Sequence, residues 1–406
     1  MSKEKNWSNL GLAAKAALIG AGPINGIGLF SMGPVLPELG KSFAGQPGAA
    51  VMVQLIGGIV APAFALASPI AGRLAVRYGV KSVLIASLAL IAVGGAGPAA
   101  ANSLLALLIL RVLLAIGVAG GFNAGLAGIA KVPDNQRPTL LGLLSFIGGA
   151  VSIAVFPLVG RLAGQDWHLA FLVHLLLIPI AVLALALPDD TVRPDRAAVA
   201  PSSVSGILAG LPVVIVMIAA LVGLVMVSSS LYSPFHLMTV GATGPEMIGR
   251  ALGIMAICSL LGSGSYPFLH RRLRSRRMVI LGLVGMTAGT LVVAISSSLT
   301  IATIGLGILA VGLAIFSSAI YAVSIESAGN PGASAAAMGV ISFAMYGSPV
   351  LFPAIAIGVG DRFGTAAVYF LLTALLVLAL VAFNGLRSGG IERHAHPQRS
   401  GQSADS

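Results

Sequence analysis

Long apolar stretches separated by short polar links repeat along the whole chain. At about 20 residues to cross a hydrocarbon core of about 30 Å, they predict twelve helical spans. These are 12–37, 47–71, 82–101, 103–130, 138–163, 168–187, 204–234, 246–269, 278–297, 299–325, 333–359 and 364–386. Proline and glycine fall inside several of them, which membrane helices tolerate because neighbouring helices and hydroxyl side chains re-satisfy the freed backbone groups. The alternating short segments of a membrane barrel are absent. The expected fold class is an all-α membrane protein of twelve transmembrane helices.

The longest polar break inside the chain is PDDTVRPDRAAVAPSS at 188–203. Its prolines and mixed charges read as a solvated cytoplasmic linker. It separates an N-terminal six-helix half, 1–187, from a C-terminal six-helix half, 204–386, leaving a polar tail at 387–406 that reads as disordered. The halves look like weak repeats. Leu74 and Arg77 recur as Leu269 and Arg272, Phe156-Pro157 as Phe352-Pro353, and Gly142 and Ser145 as Gly339 and Ser342, all at nearly one offset. Two pseudo-symmetric halves are a common transporter plan.

Composition agrees with the pattern: 57% of residues are hydrophobic and 9% charged, where a soluble domain carries about 25% charge. The net charge of +11 could indicate a nucleic-acid partner, but its placement argues for orientation instead. With the N-terminus inside, the cytoplasmic segments hold Lys3, Lys5, Lys15, Arg73, Arg77, Lys81, Lys131, Arg137, Arg193, Arg196, the run Arg271, Arg272, Arg274, Arg276, Arg277, and then Arg387, Arg393 and Arg399. The opposite ends hold Lys41, Arg161, Arg250 and Arg362. Lys and Arg resist translocation, so both termini are expected in the cytoplasm of a plasma (inner) membrane protein. The apolar stretch after Lys3 and Lys5 reads as an uncleaved first helix, because of Lys15 and the length of the span. The one cysteine, Cys258, excludes an internal disulfide and reads as a packing residue.

Between spans 2 and 3 lies GRLAVRYGVK, Gly72–Lys81. Its glycines would let the backbone turn sharply. This stretch resembles the signature loop of major facilitator superfamily transporters, roughly G-x-L-A-D-R-x-G-R-K, through Gly72, Leu74, Ala75, Arg77, Gly79 and Lys81. Val76 stands where the family has Asp, and Val80 where it often has Arg. The resemblance implies that Gly72, Arg77, Gly79 and Lys81 form a conformational-switch loop. In the family that Asp helps latch the two halves together on the cytoplasmic side, and Val76 leaves the latch without its carboxylate. In span 4, LRVLLAIGVAGG is similar to the family pattern R-x-x-Q-G-x-G at Arg111 and Gly117, with Leu114 and Ala115 replacing Gln and Gly. In span 5, SIAVFPLVGR keeps Pro157 and Gly160 of an antiporter signature but has Phe156 and Arg161 in place of glycines. That motif therefore gives no support to antiport. DWHLAF, Asp166–Phe171, and MGPVLPEL in span 1 resemble the twelve-span drug and metabolite exporter branch.

Arg111 is the sharpest functional candidate. A charge inside a span costs about 2.5–3.5 kcal/mol on insertion scales and needs a partner. Its roles are proton coupling, substrate contact, or a structural arginine capped by backbone carbonyls. In the family fold, spans 1, 4, 7 and 10 line the central cavity, which makes Asn25, Arg111, Tyr232 and Tyr321 cavity candidates, with Gln54 and Tyr346 on neighbouring spans. Span 7 places Ser228, Tyr232 and His236 on one helical face. For any single Ser or Tyr the simpler reading is an interhelical hydrogen bond worth about 0.6 kcal/mol. Coupling candidates are Arg111, His174 and Glu326, although His174 also fits a satisfied packing residue and Glu326 a solvated span end. No Asp or Glu lies mid-span in this reading, so a carboxylate relay has no obvious residues. No nucleotide-binding loop, HExxH or clustered His/Cys set is present, so neither an enzyme nor a cofactor or metal is expected.

The expectation is a secondary transporter working by alternating access. It would be a monomer that carries a small organic compound outward against protons, with the lipid bilayer as its other partner and no nucleic acid. An importer or facilitator of an anionic metabolite, with Arg111 as counter-ion, is one alternative. A non-transporting membrane receptor or scaffold is another.

Overall fold

The computed structural model describes residues 7–133, 135–189, 213–327 and 340–385. All secondary structure among them is helical. The linker at 188–203 falls outside the described residues except for its first two, and the tail at 387–406 falls wholly outside them.

Ten helices among the described residues are long and apolar enough to cross a membrane. They include α1 (Leu12–Ser42), α2 (Ala49–Ala75), α3 (Val80–Ala100) and α4 (Leu104–Lys131). The N-terminal half closes with α5 (Arg137–Gln165) and α6 (Trp167–Ala184). The C-terminal half opens with the shorter α7 (Val213–Leu231), continued by Ser233–Thr239. Then come α8 (Pro245–His270), α9 (Ser275–Ala294) and α10 (Leu299–Ser327). The chain ends with α11 (340–363, with a 3-10 turn at Ser348–Leu351) and α12 (Thr365–Gly385). The seventh and eleventh expected spans begin on residues that are not described.

One expectation about the turns is corrected. Gly72 does not turn the chain: α2 continues as helix through Tyr78, and Gly79 alone reverses it, at φ 85°. Arg73 and Arg77 stand four residues apart and both are exposed, so the cationic end remains helical with its charges directed to water. The link between α8 and α9 is likewise short, Arg271 to Arg274.

Within the N-terminal half, α4 packs on α2 and α3, and α1 packs on α5, α4 and α6. In the other half, α10 packs on α9 and α8, and α12 packs on α9 and α7. Lipid provides no hydrophobic push between helices, so close backbone approach carries the packing. Gly285 and Gly312 face each other on α9 and α10, where a Cβ on Gly285 would lie 3.0 Å from the Gly312 Cα.

The halves meet along α5–α8 and α2–α11, with the Ser233–Thr239 segment reaching the far end of α1. This contact is lopsided. Near Gln165 and Pro245, a Cβ on Gly249 would stand 2.6 Å from the Phe156 carbonyl oxygen and 3.0 Å from the Gly160 Cα. Midway, a Cβ on Gly149 would meet Leu260 at 3.2 Å. Towards the basic end, Gly142 on α5 and Gly264 on α8 have nothing within 4 Å of a Cβ. Close glycine contacts between α5 and α8 thus run from the Gln165 end to the middle, and among the described residues Gly142 and Gly264 make none.

Candidate functional site

Two helices of the N-terminal half depart from α geometry at the same level. In α3, residues Ala92–Ala96 form a π-helical turn and Gly97–Ala100 a 3-10 turn. In α6, Phe171–Leu177 is 3-10. Local sequence accounts for both. Pro98 and Pro179 lack an N–H, so neither can close the bond to the carbonyl four residues back. The two irregular segments pack against each other, and π-turns are frequent at functional sites.

Arg111 and His174 lie at this junction. Each is 1% exposed. A Cβ at Gly95 would lie 2.5 Å from the His174 ring, so the π-turn provides the space the imidazole fills. His174 Nδ1 donates to the Phe171 carbonyl at 2.9 Å, since a carbonyl only accepts. That assignment leaves Nε2 as an acceptor, and it has no hydrogen-bond partner. The Arg111 guanidinium lies 5.1 Å from the centre of the Phe171 ring, a cation–π contact. Its Nε and Nη2 have no hydrogen-bond partner. Phe171 therefore organises the pair, holding one residue by its ring and the other by its carbonyl.

The other sequence candidates are dispersed. Asn25 is half-buried on α1 and its Oδ1 has no partner. Beside it, a Cβ at Gly26 would stand 2.9 Å from Ser152 Oγ of α5. Gln54 is half-buried on α2. Tyr346 of α11 packs edge-on to Phe64 of α2, ring centres 5.2 Å apart, and Phe64 lies 6.1 Å from Phe122 of α4. This aromatic file spans both halves. Tyr346 was legible in the sequence, whereas a Phe in an apolar span gives no signal. Tyr232 is 5% exposed and turns to α12, 6.3 Å from the Tyr369 ring. The side chains of Tyr321, Glu326 and Val76 lie outside the described residues. In the switch loop, Arg77 lies over the Tyr78 ring at 5.3 Å and Lys81 pairs with Asp189 at 2.9 Å.

A second polar cluster joins α7, α9 and α12. His236 is 2% exposed. Its Nε2 donates to the Val293 carbonyl at 3.0 Å, with Ser296 Oγ at 3.1 Å. Nδ1 then accepts from the Thr365 hydroxyl at 2.8 Å. Sequence reasoning placed His236 on the right helix but missed Ser296 and Thr365, which lie at distant span ends.

At the α5–α6 corner, Asp166 caps α6 by accepting from the His168 N–H at 2.9 Å and contacts its Nδ1 at 2.7 Å. The backbone bond first, and the imidazole second, hold this exposed carboxyl below its ordinary range. A groove of about 590 Å³ between α8 and α10, lined by Ile254, Cys258, Thr303, Ile304 and Ile308 among others, is apolar and opens on the outer surface, where Ile254 and Ile304 are exposed. It is separate from every polar cluster above. Among the described residues, no group of three or more His, Cys, Asp or Glu could hold a metal ion.

Known proteins share this fold. The family model of the Major Facilitator Superfamily matches residues 18–336. An uncharacterised MFS-type transporter, YfiU, of Bacillus subtilis (strain 168) is 34% identical over 119 residues, 28% of this chain and 22% of that protein. The MFS-type transporter dmxR4 of Cryptosporiopsis sp. (strain 8999) is 33% identical over 119 residues, 29% of this chain and 21% of that protein. These matches span about a fifth of each relative. Among solved structures, a point mutant of the nucleoside transporter NupG superposes with TM-score 0.73 at 14% identity, covering 91% of this chain and 99% of that one. The xylose transporter XylE from E. coli, in an inward open conformation, gives 0.74 at 14% identity, covering 91% and 95%.

Proposed function

Because the chain belongs to the major facilitator superfamily, and so is a multi-pass membrane transporter rather than an enzyme, we propose that it exports a small, partly apolar organic compound in exchange for protons. The uneven contact between the halves supports the carrier part of this reading. Helices α5 and α8 touch closely at Gly160–Gly249 and make no such contact at Gly142 and Gly264, which fits one state of a carrier whose halves rock about a midplane site. The excess of Lys and Arg argues for a cytoplasmic open end, which is the loading side for an exporter. In this reading both termini are cytoplasmic in the plasma (inner) membrane and the monomer is the working unit. In this reading Asn25, Gln54 and Tyr346 line the path, and Tyr321 is assigned to it from its place in the sequence.

Arg111 and His174 are the coupling residues we favour, with Glu326 a further candidate. A guanidinium 1% exposed and turned to Phe171 supports coupling over direct contact with a carried anion.

Two measurements test the proposal. Proteoliposomes with an imposed pH gradient should accumulate export substrates from a compound panel only when the gradient runs against transport. Transport unaffected by collapsing the gradient rules out proton exchange. Gly249→Val puts a branched side chain against the Phe156 carbonyl, and overpacking of about 1–3 kcal/mol should force the sealed end apart. In a Cys258→Ser background, cysteine placed at the buried Ser233 should then label at least tenfold faster from the Gln165 end. An unchanged labelling rate rejects the gate assigned to that end.

A further inference from the structure

The α8–α9 turn is built differently from its counterpart between α2 and α3. The α2–α3 turn is a single residue, Gly79, and the lysine after it is already paired with Asp189. The α8–α9 turn surrounds a concavity of about 430 Å³ lined by His270, Arg271, Arg272, Leu273, Arg274 and Ser275. Arg271, Arg272 and Arg274 are all exposed. Helix α9 starts at this concavity with no acidic residue in its first turn, so its dipole adds to the positive field. On the approach to the turn, α8 exposes Leu261 at 65% and Phe268 at 70%. Cations therefore sit at the boundary of an exposed apolar helix surface.

We propose that this turn binds the phosphate group of an anionic phospholipid, with the acyl chains lying along the exposed α8 face. Guanidinium forks match phosphate oxygens in a bidentate manner. The pairing of an arginine-lined concavity with exposed Phe268 and Leu261 fits an amphiphile better than a freely soluble anion, which would use only the first. The Arg271 and Arg272 side chains are the main contacts.

The test uses the purified full-length protein in mild detergent and native mass spectrometry, with phosphatidylglycerol and phosphatidylcholine supplied at equal concentration. The wild type should retain phosphatidylglycerol in preference. Each arginine near an anionic surface is worth about a fivefold change in affinity. Arg271→Gln should therefore weaken retention about fivefold, and the Arg271→Gln/Arg272→Gln pair about twenty- to thirtyfold. Arg271→Lys/Arg272→Lys should recover part of the loss by restoring charge without the fork. Arg73→Gln, with the same charge change on the other turn, should retain the lipid as the wild type does. Both target arginines are exposed, and an unchanged melting temperature verifies the fold. Equal retention of the two lipids overturns the proposal, as does wild-type retention by the Gln pair. Complete displacement of phosphatidylglycerol by equimolar inorganic phosphate also overturns it, since the ligand would then be a soluble anion.

Discussion

Each half of the molecule buries a histidine, and the two are treated in opposite ways. His236 uses both ring nitrogens, one on the Val293 carbonyl and one on Thr365. His174 uses one, on Phe171, and leaves the other facing no partner beside a guanidinium that is itself short of two acceptors. A buried polar group without a partner costs about 1–3 kcal/mol, and a charge inside a span costs more. The satisfied cluster needs nothing beyond itself and reads as a staple of α7, α9 and α12. The unsatisfied pair is retained at a cost that the fold alone does not explain. Its deficit can be met by water, a proton shift or movement of α6, as the coupling role proposed for the pair would need.

The sharpest break in this comparison is at Arg111. Arg111→Ala should lower transport by about a hundredfold, ~2.7 kcal/mol in barrier terms, while folded yield stays near wild type. Arg111→Lys should be nearly as impaired, because it retains the charge and loses the planar fork. If yield and melting temperature fall in step with activity, the pair is structural. The second largest effect belongs to the other histidine. His236→Ala strands the Val293 carbonyl and the Thr365 hydroxyl and should cost about 1–3 kcal/mol of stability, with little change in the pH dependence of transport. His174→Ala removes one bond and should cost only about 0.5–1.5 kcal/mol, yet it should alter the pH profile. A pH profile unchanged by His174→Ala and changed by His236→Ala would reverse the roles assigned here. The smallest effect is expected at Lys81→Ala. Its partner Asp189 has an 81% exposed side chain, so the loss should stay within about 0.5 kcal/mol.

Hydropathy was sufficient to read the ten helices that are long and apolar enough to cross a membrane among the described residues, because a span must satisfy its own backbone in lipid and therefore declares itself by length. The direction each side chain takes was not legible. Span 4 is apolar on every face, so nothing in its pattern indicated that Arg111 would turn to Phe171 rather than towards the other half. Pro98 and Pro179 were the available clue. Each marks a place where helix geometry fails, and together they locate the Arg111–His174 junction. The His236 cluster was hidden for another reason: Val293, Ser296 and Thr365 meet it only through packing of span ends far apart in the chain. Gly72 misled, because a glycine in a signature loop suggested a bend where the backbone stays helical and Gly79 alone reverses direction.

The seal between Gly160 and Gly249 has an entropic consequence. A contact of leucines would freeze side-chain torsions each time it formed, at about 0.5–1 kcal/mol per residue. Two facing glycines have no rotamers to lose. Forming or breaking this contact is therefore close to neutral in side-chain entropy.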